Sequence, residues 1–182
     1  MPSRVTDGWT IAGITTFQSG FPLDVVDGNL SSDLSSMFDI SDNAAIDVPN
    51  LTGKVTYFNP RNGNNAQSTT ACAATGAPAA TVTGRFWFSP GAFTCEAAGV
   101  LGNAGRNILR GPGLNNWDFQ LFKDTRVTES TKFELRIEFY NVFNHTQFLA
   151  NSVITDISDP RFGQVTNALP SRLIQLAAKF YF

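Results

Sequence analysis

The sequence predicts an all-β protein made of antiparallel strands, and three observations support this fold class. The chain of 182 residues is only 15% charged but contains 16 Phe and 15 Gly, a composition that favours strands and turns over helices. Four segments alternate apolar and polar residues with a period of two. The connections between these segments are long, short and long in turn. No apolar run reaches the ~18 residues of a membrane-spanning helix.

The clearest strand signal lies at residues 131–143. One face of this segment carries five apolar side chains: Phe133, Leu135, Ile137, Phe139 and Phe143. The other face carries four charged ones: Lys132, Glu134, Arg136 and Glu138. Because charged and apolar residues alternate strictly from 132 to 139, we expect this segment to be the longest regular strand of the protein.

Three further segments, 8–18, 116–124 and 172–182, share the same period. In 116–124 the apolar positions are Trp117, Phe119 and Leu121. In 172–182 they are Ile174, Leu176, Ala178, Phe180 and Phe182, opposite Gln175, Lys179 and Tyr181. We expect 131–143 to pair with 116–124 on one side and with 172–182 on the other, so that the apolar sets share one face of the sheet.

Two architectures fit this pattern. Strands of ~9–11 residues with one apolar and one polar face are typical of transmembrane barrels, where short periplasmic turns alternate with longer extracellular loops. A secreted or surface β-sandwich that binds carbohydrate or protein has the same alternation. In a barrel the lipid-facing residues would be Phe133, Leu135, Ile137, Phe139, Ile174 and Leu176. The lumen-facing residues would be Lys132, Glu134, Arg136, Glu138, Gln175 and Lys179.

The segment from 19 to 115 is expected to be one long surface loop. Its stretch 61–81 is small and polar, which indicates a mobile segment, and its glycine-rich stretch 99–113 would let the backbone turn tightly before the strand at 116. Cys72 and Cys95, with 22 residues between them, are a candidate disulfide. Such a bridge would contribute ~3 kcal/mol if the loop lies outside the cell.

Several classes of function are excluded or disfavoured by composition. A net charge of −2 excludes a strongly basic nucleic-acid-binding protein. One His and two Cys cannot form a His/Cys metal cluster, so we expect no metal and no cofactor. A histidine-dependent active site could use only His145, and no Gly-x-Ser-x-Gly motif is present, so we expect no enzymatic activity.

Four stretches of the chain together resemble one family. The runs 105–123 (GRNILRGPGLNNWDFQLFK) and 133–148 (FELRIEFYNVFNHTQF) are similar to Oar-like TonB-dependent receptors, and so are 161–182 and 8–23. The resemblance implies an antiparallel transmembrane β-barrel segment with long extracellular loops, about four strands of a barrel of about 22 strands, in the bacterial outer membrane. The chain would then be part of a longer protein, and this part would not transport anything by itself.

The resemblance also implies partners. They are the outer-membrane lipid, the remainder of the barrel and its plug, the barrel-assembly machinery, and TonB through an N-terminal part that this chain lacks. Strands that end such barrels carry a recognition signal with a terminal aromatic residue. Here that assembly signal would be Gln175, Phe180 and Phe182, with Ala177 in place of the usual glycine.

Overall fold

The computed structural model describes residues 6–28, 48–69, 80–97 and 100–182. In these residues the secondary structure consists of ten strands and three short 3-10 helices. The strands are β1 Trp9–Gln18, β2 Pro22–Leu23, β3 Asn50–Leu51, β4 Asn65–Thr69, β5 Ala80–Gly84, β6 Phe93–Thr94, β7 Leu109–Arg110, β8 Leu114–Arg126, β9 Lys132–Tyr140 and β10 Leu173–Tyr181. The 3-10 helices are Pro60–Asn62, Pro90–Ala92 and Ala150–Ser152. None of the helices in these ranges is long and apolar enough to cross a membrane.

The chain divides into two compact units. The sheet unit comprises residues 1–19, 114–147 and 169–182, and the loop unit comprises 20–113 and 148–168. The sheet unit contains a four-stranded antiparallel sheet in the order β1-β8-β9-β10. The three short pairs β2-β7, β3-β6 and β4-β5 belong to the loop unit.

The register of the sheet confirms the predicted pairing of β9 with both of its neighbours. Phe119 lies opposite Phe139, and Leu121 lies opposite Ile137. On the other side, Leu176 is paired with the same Ile137. Residues directly opposite in an antiparallel pair share a face, so the apolar sets of β8, β9 and β10 form one surface, as expected.

The expectation that 131–143 is the longest strand is wrong. β9 has 9 residues, whereas β8 has 13. β9 ends because Asn141 adopts a left-handed conformation, with φ of 54°, and turns the chain out of the ladder. β8 is longer because it continues to pair with β1 as far as Gln18 and Leu114.

The segment 19–115, expected as one long surface loop, contains folded structure among its described residues. The loop unit has its own hydrophobic core of nine buried residues: Val25, Phe88, Ala92, Phe93, Leu109, Val153, Ile157, Phe162 and Val165. Four of these come from 148–168, so the segment between β9 and β10 completes the core begun by 20–113. The strands here are two to five residues long, too short for a periodic sequence signal.

Three phenylalanines form the centre of this core. The rings of Phe88, Phe93 and Phe162 pack edge to face, with centroids 5.2 to 5.9 Å apart. Gly163 follows with φ of 85°, and a Cβ there would lie 2.9 Å from Pro90. A side chain at position 163 would therefore be strained by its backbone conformation and crowded by the core.

The polar stretch 61–81 is in part regular structure. Residues 60–62 form a 3-10 helix, and β4 pairs with β5 as an antiparallel ladder from Asn65↔Gly84 to Thr69↔Ala80. Residues 70–79, between these strands, lie outside the described residues. In the glycine-rich stretch, Gly102 allows the backbone to pass close to the backbone of Val48. A Cβ at position 102 would lie 1.9 Å from the Val48 carbonyl oxygen.

The candidate disulfide falls only partly within the described residues. Cys72 lies outside them, while Cys95 is not a free thiol and packs against the core of the loop unit. We expect a non-reducing digest of the protein to release a peptide that joins Cys72 to Cys95, detected by mass spectrometry. Replacing either residue by Ser is expected to lower the free energy of unfolding of the loop unit by ~3 kcal/mol. Detection of two alkylatable thiols in unreduced protein would contradict this pairing.

Candidate functional site

One face of the four-stranded sheet is predominantly apolar. This apolar face is made of the odd-numbered positions of β1, β8 and β9 and the even-numbered positions of β10. It contains every residue predicted to face lipid, and Ile11, Ile174, Leu176 and Phe180 are among its strongly exposed side chains. Phe133, Leu135, Ile137 and Phe139 are half-buried, because each has a neighbouring strand on both sides.

The opposite face, the charged face, contains every residue predicted to face the lumen. Along β9 the charges alternate and contact one another: Glu134 lies 3.2 Å from Arg136, which lies 3.7 Å from Glu138. Lys132 extends the series across to β8, with its Nζ 3.0 Å from an Asp124 carboxylate oxygen. The charges of this series therefore alternate in sign along Asp124, Lys132, Glu134, Arg136 and Glu138.

Aromatic side chains hold this charged series in place. The Tyr140 hydroxyl donates to Glu138, and the Tyr181 hydroxyl of β10 donates to Glu134, each at 3.2 Å. The Arg136 guanidinium lies 4.8 Å from the centroid of the Phe122 ring, a cation–π distance. Glu138 is only 9% exposed, which a carboxylate tolerates because a cation and a hydroxyl donor are both close.

Lys123 is an exception that the sequence analysis did not identify, because it is a cation on the apolar face. It lies opposite Trp9 of β1 and Leu135 is its register neighbour on the β9 side. Its ammonium group donates to the Asp7 backbone carbonyl and lies 5.1 Å from the centroid of the Trp9 ring. The side chain thus runs toward the strand end and has a polar and an aromatic partner there.

The turn that follows β9 replaces missing ladder bonds with side chains. Gln147 is 1% exposed, and its amide bonds both backbone groups of Asn115: the Asn115 N–H donates to Oε1 at 3.1 Å, and Nε2 donates to the Asn115 carbonyl. The Asn141 N–H donates to the Asp118 carboxylate at 2.9 Å. This turn, residues 141–147, therefore satisfies the backbone of β8 beyond the end of β9.

No sequence pattern marks the role of Gln147, but a substitution of its buried amide tests this role directly. We expect Gln147→Leu to lower the free energy of unfolding by ~1–3 kcal/mol, because both backbone groups of Asn115 lose their partner. Gln147→Glu keeps the acceptor but loses the donor, so an intermediate effect is expected. The measurement is chemical denaturation of the protein in detergent, and wild-type stability for Gln147→Leu would contradict the role.

His145 lies on this same turn. Its backbone N–H donates to the Asn141 side chain at 2.9 Å, and its carbonyl accepts from the same amide at 2.9 Å. These contacts fix the turn through the histidine backbone and leave its side chain exposed. Among the described residues, no group of three or more His, Cys, Asp or Glu side chains is placed to hold a metal ion.

In the loop unit, one carboxylate is perturbed by a surface ion pair. Arg161 lies 2.8 Å from Asp159 and donates to its carboxylate, which lowers the pKa of Asp159. A depressed carboxyl pKa adds stability above the ordinary pKa and loses it as pH falls through the folded value. Since the arginine is mostly exposed, this contribution is under about 1 kcal/mol.

The residues predicted to form the assembly signal lie at the free edge of the sheet. β10 pairs only with β9 among the described strands, and Gln175 and Phe180 of β10 are exposed. Phe182 is fully exposed. Its side chain thus makes no packing contribution to the rest of the described chain.

An apolar face, a charged face and unequal connections are typical of the wall of a transmembrane β-barrel. A family model described as an outer membrane beta barrel domain matches residues 1–175. The chain belongs to this family, which confirms the predicted all-β barrel fold and the location in the bacterial outer membrane. No curated protein and no solved structure matches the chain significantly.

The described sheet is open, with free edges at β1 and β10. In lipid, backbone N–H and C=O groups at a sheet edge have no water to bond, so barrels span membranes only when closed. The four strands therefore need further strands beside them before they can cross a membrane.

Proposed function

We propose that this chain is the C-terminal part of the barrel of an Oar-like TonB-dependent receptor. The full-length protein would bind a ligand at the cell surface and import it with energy delivered through TonB. One observation carries this proposal. Four long strands are joined by the chain to a folded loop unit with its own aromatic core, and every connection to that unit follows the strand ends opposite the short 127–131 turn.

The connectivity gives the loop unit its role. β1 runs into it at residue 20, β8 leaves it at residue 113, and the stretch 148–168 departs and returns between β9 and β10. In outer-membrane barrels the short turns are periplasmic and the long connections extracellular. The loop unit is then the ligand-contacting region. Because its core is already folded, ligand binding does not have to order the unit, which favours affinity.

The two faces of the sheet acquire roles in the same proposal. The apolar face contacts outer-membrane lipid. The charged face lines the lumen, where its series from Asp124 to Glu138 would face the plug supplied by the rest of the receptor. TonB would contact an N-terminal part of the receptor, outside this chain. The chain itself has no catalytic role, because its task is to form the wall and to present the loop unit.

The test begins with the genomic DNA upstream of the codon for Met1. We expect it to encode, in frame, a plug domain and a signal peptide. The full-length protein should then bind the periplasmic domain of TonB, and deletion of its N-terminal TonB-contacting segment should abolish that binding. An upstream stop codon with no plug, together with outer-membrane protein that does not bind TonB, would reject the receptor and leave a barrel of another kind.

The terminal residue provides a separate test of barrel assembly. Because Phe182 is fully exposed, a charge there near the membrane interface costs only ~0–1 kcal/mol, whereas a lysine at mid-strand Ala178 costs ~2–4 kcal/mol. Membrane energetics thus predict a mild defect for Phe182→Asp and a severe one for Ala178→Lys. If Phe182 is read by the assembly machinery, we expect Phe182→Asp and deletion of Phe182 to be as severe as Ala178→Lys.

The measurement is the amount of folded, heat-modifiable protein in outer-membrane fractions. Gln175→Ala tests the first residue of the signal in the same assay. Wild-type amounts for both Phe182 variants would remove the assembly-signal role of this residue.

A further inference from the structure

The apolar face has a marked asymmetry of charge. At its positions in β1, β8, β9 and β10 there is no Asp or Glu, and Lys123 is its one charged side chain. Arg172 precedes β10 by one residue, and the alternation of the strand places it on the same side as Ile174. Lys123 lies toward the end with the short turn, and Arg172 lies at the opposite end. The strand positions at the end near Arg172 carry no Asp or Glu, and Arg172 adds a positive charge there.

Arg172 is held by the turn at 141–147. Its backbone N–H donates to the Asn144 side chain at 3.0 Å, and its guanidinium Nη1 donates to the Val142 carbonyl at 3.3 Å. The residue is nevertheless exposed. A guanidinium has five N–H donors, so one bond to a carbonyl orients the group and leaves most of its donors available to an external acceptor.

A cluster of three aromatic rings lies at the same end of the face. Phe17 and Phe143 each pack edge to face against Trp117, both with centroids 5.7 Å apart. All three rings are more than a third exposed. Phe143 directly follows Val142, whose carbonyl holds the Arg172 guanidinium. The turn at 141–147 thus carries one ring of the aromatic cluster and also binds the Arg172 guanidinium.

We propose that Arg172 and the cluster of Phe17, Trp117 and Phe143 form a binding site for a phosphorylated lipid of the outer leaflet. The guanidinium would bind a headgroup phosphate, for which its planar fork is well suited. The three rings would contact the upper part of the acyl chains, at the depth where aromatic residues are enriched in barrels. The absence of carboxylates on the described strands of this face removes the main electrostatic obstacle to an anionic headgroup.

This site does not depend on which ligand the loop unit binds or on whether TonB is a partner. It depends on the apolar face being in lipid and on the end opposite the short turn being the outer one. A failure of the receptor proposal would therefore leave the lipid site open to test.

The experiment measures the phosphorylated glycolipid that stays bound to full-length protein extracted from outer membranes in mild detergent. Native mass spectrometry gives the ratio of lipid to protein. We expect Arg172→Gln to lower this ratio about three- to tenfold, the range for loss of one charge-assisted phosphate contact. Phe143→Ala should lower it as well, and Arg172→Lys should retain part of it, because it keeps the charge without the bidentate geometry.

The matched control is Lys179→Gln, which removes a cation from β10 on the charged face and should leave the ratio unchanged. Heat-modifiability verifies folding of each variant, and if Arg172→Gln does not fold, Arg172→Lys and Phe143→Ala decide the question. Excess inorganic phosphate should not displace the lipid, since the acyl chains contribute to binding. Wild-type retention in Arg172→Gln, equal loss in Lys179→Gln, or complete displacement by phosphate would each overturn the proposal.

Discussion

Replacing Ile137 with Lys is expected to prevent membrane insertion of the full-length protein. Ile137 lies at the middle of β9 on the apolar face, between its register partners Leu121 and Leu176. A lysine facing lipid near the midplane costs ~2–4 kcal/mol, and the loss of buried apolar area adds to this. The expected result is little heat-modifiable protein in the outer membrane and more unfolded protein in the periplasm.

Gln120→Lys is the matched control for this substitution. Gln120 lies on the neighbouring strand and on the charged face, directly opposite Glu138. The new lysine would be placed beside a carboxylate, so wild-type insertion is expected. If Ile137→Lys inserted as well as Gln120→Lys, or if Gln120→Lys alone failed, the assignment of lipid and lumen to the two faces would be wrong.

The second large effect is expected in the loop unit, from Phe162→Ala. Phe162 is fully buried, with ring centroids 5.2 Å from Phe88 and 5.6 Å from Phe93. Truncating a buried phenylalanine costs ~3–5 kcal/mol through lost transfer energy and the cavity that remains. A unit of this size has only marginal stability to lose, so we expect it to open in a large fraction of molecules.

Limited proteolysis of intact cells measures this opening, because an unfolded loop unit exposes cleavable backbone between residues 20 and 113. The control is Phe21→Ala, which removes the same side chain from an exposed position of the same unit and should not change the cleavage rate. Resistance of Phe162→Ala equal to that of wild type would show that the aromatic core does not stabilise the unit.

The strands of the sheet and their faces could be predicted from sequence because the signal is local. A strand that separates an apolar from a polar environment alternates with a period of two, and this is visible within ten residues. That period places Phe133, Leu135 and Ile137 on the apolar face of the sheet. It also predicts that β9 pairs with β8 across a short turn. The length of β9 did not follow, because the apolar period resumes at Phe143 and the left-handed turn at Asn141 is not visible in the pattern.

Tertiary structure alone decided the rest. The core of the loop unit joins Val25, Phe88 and Phe162, which are more than sixty residues apart in sequence, and no local period marks such contacts. The same is true of Gln147, whose amide bonds the backbone of Asn115, and of Lys123, whose position on the apolar face is satisfied by Trp9 and Asp7. By itself the sequence determined the two faces of the barrel wall, since the polarity of each residue matches the environment on its own side of the strand and needs no distant partner. The folding of the long connections depends on contacts between distant residues, and only the assembled structure contains them.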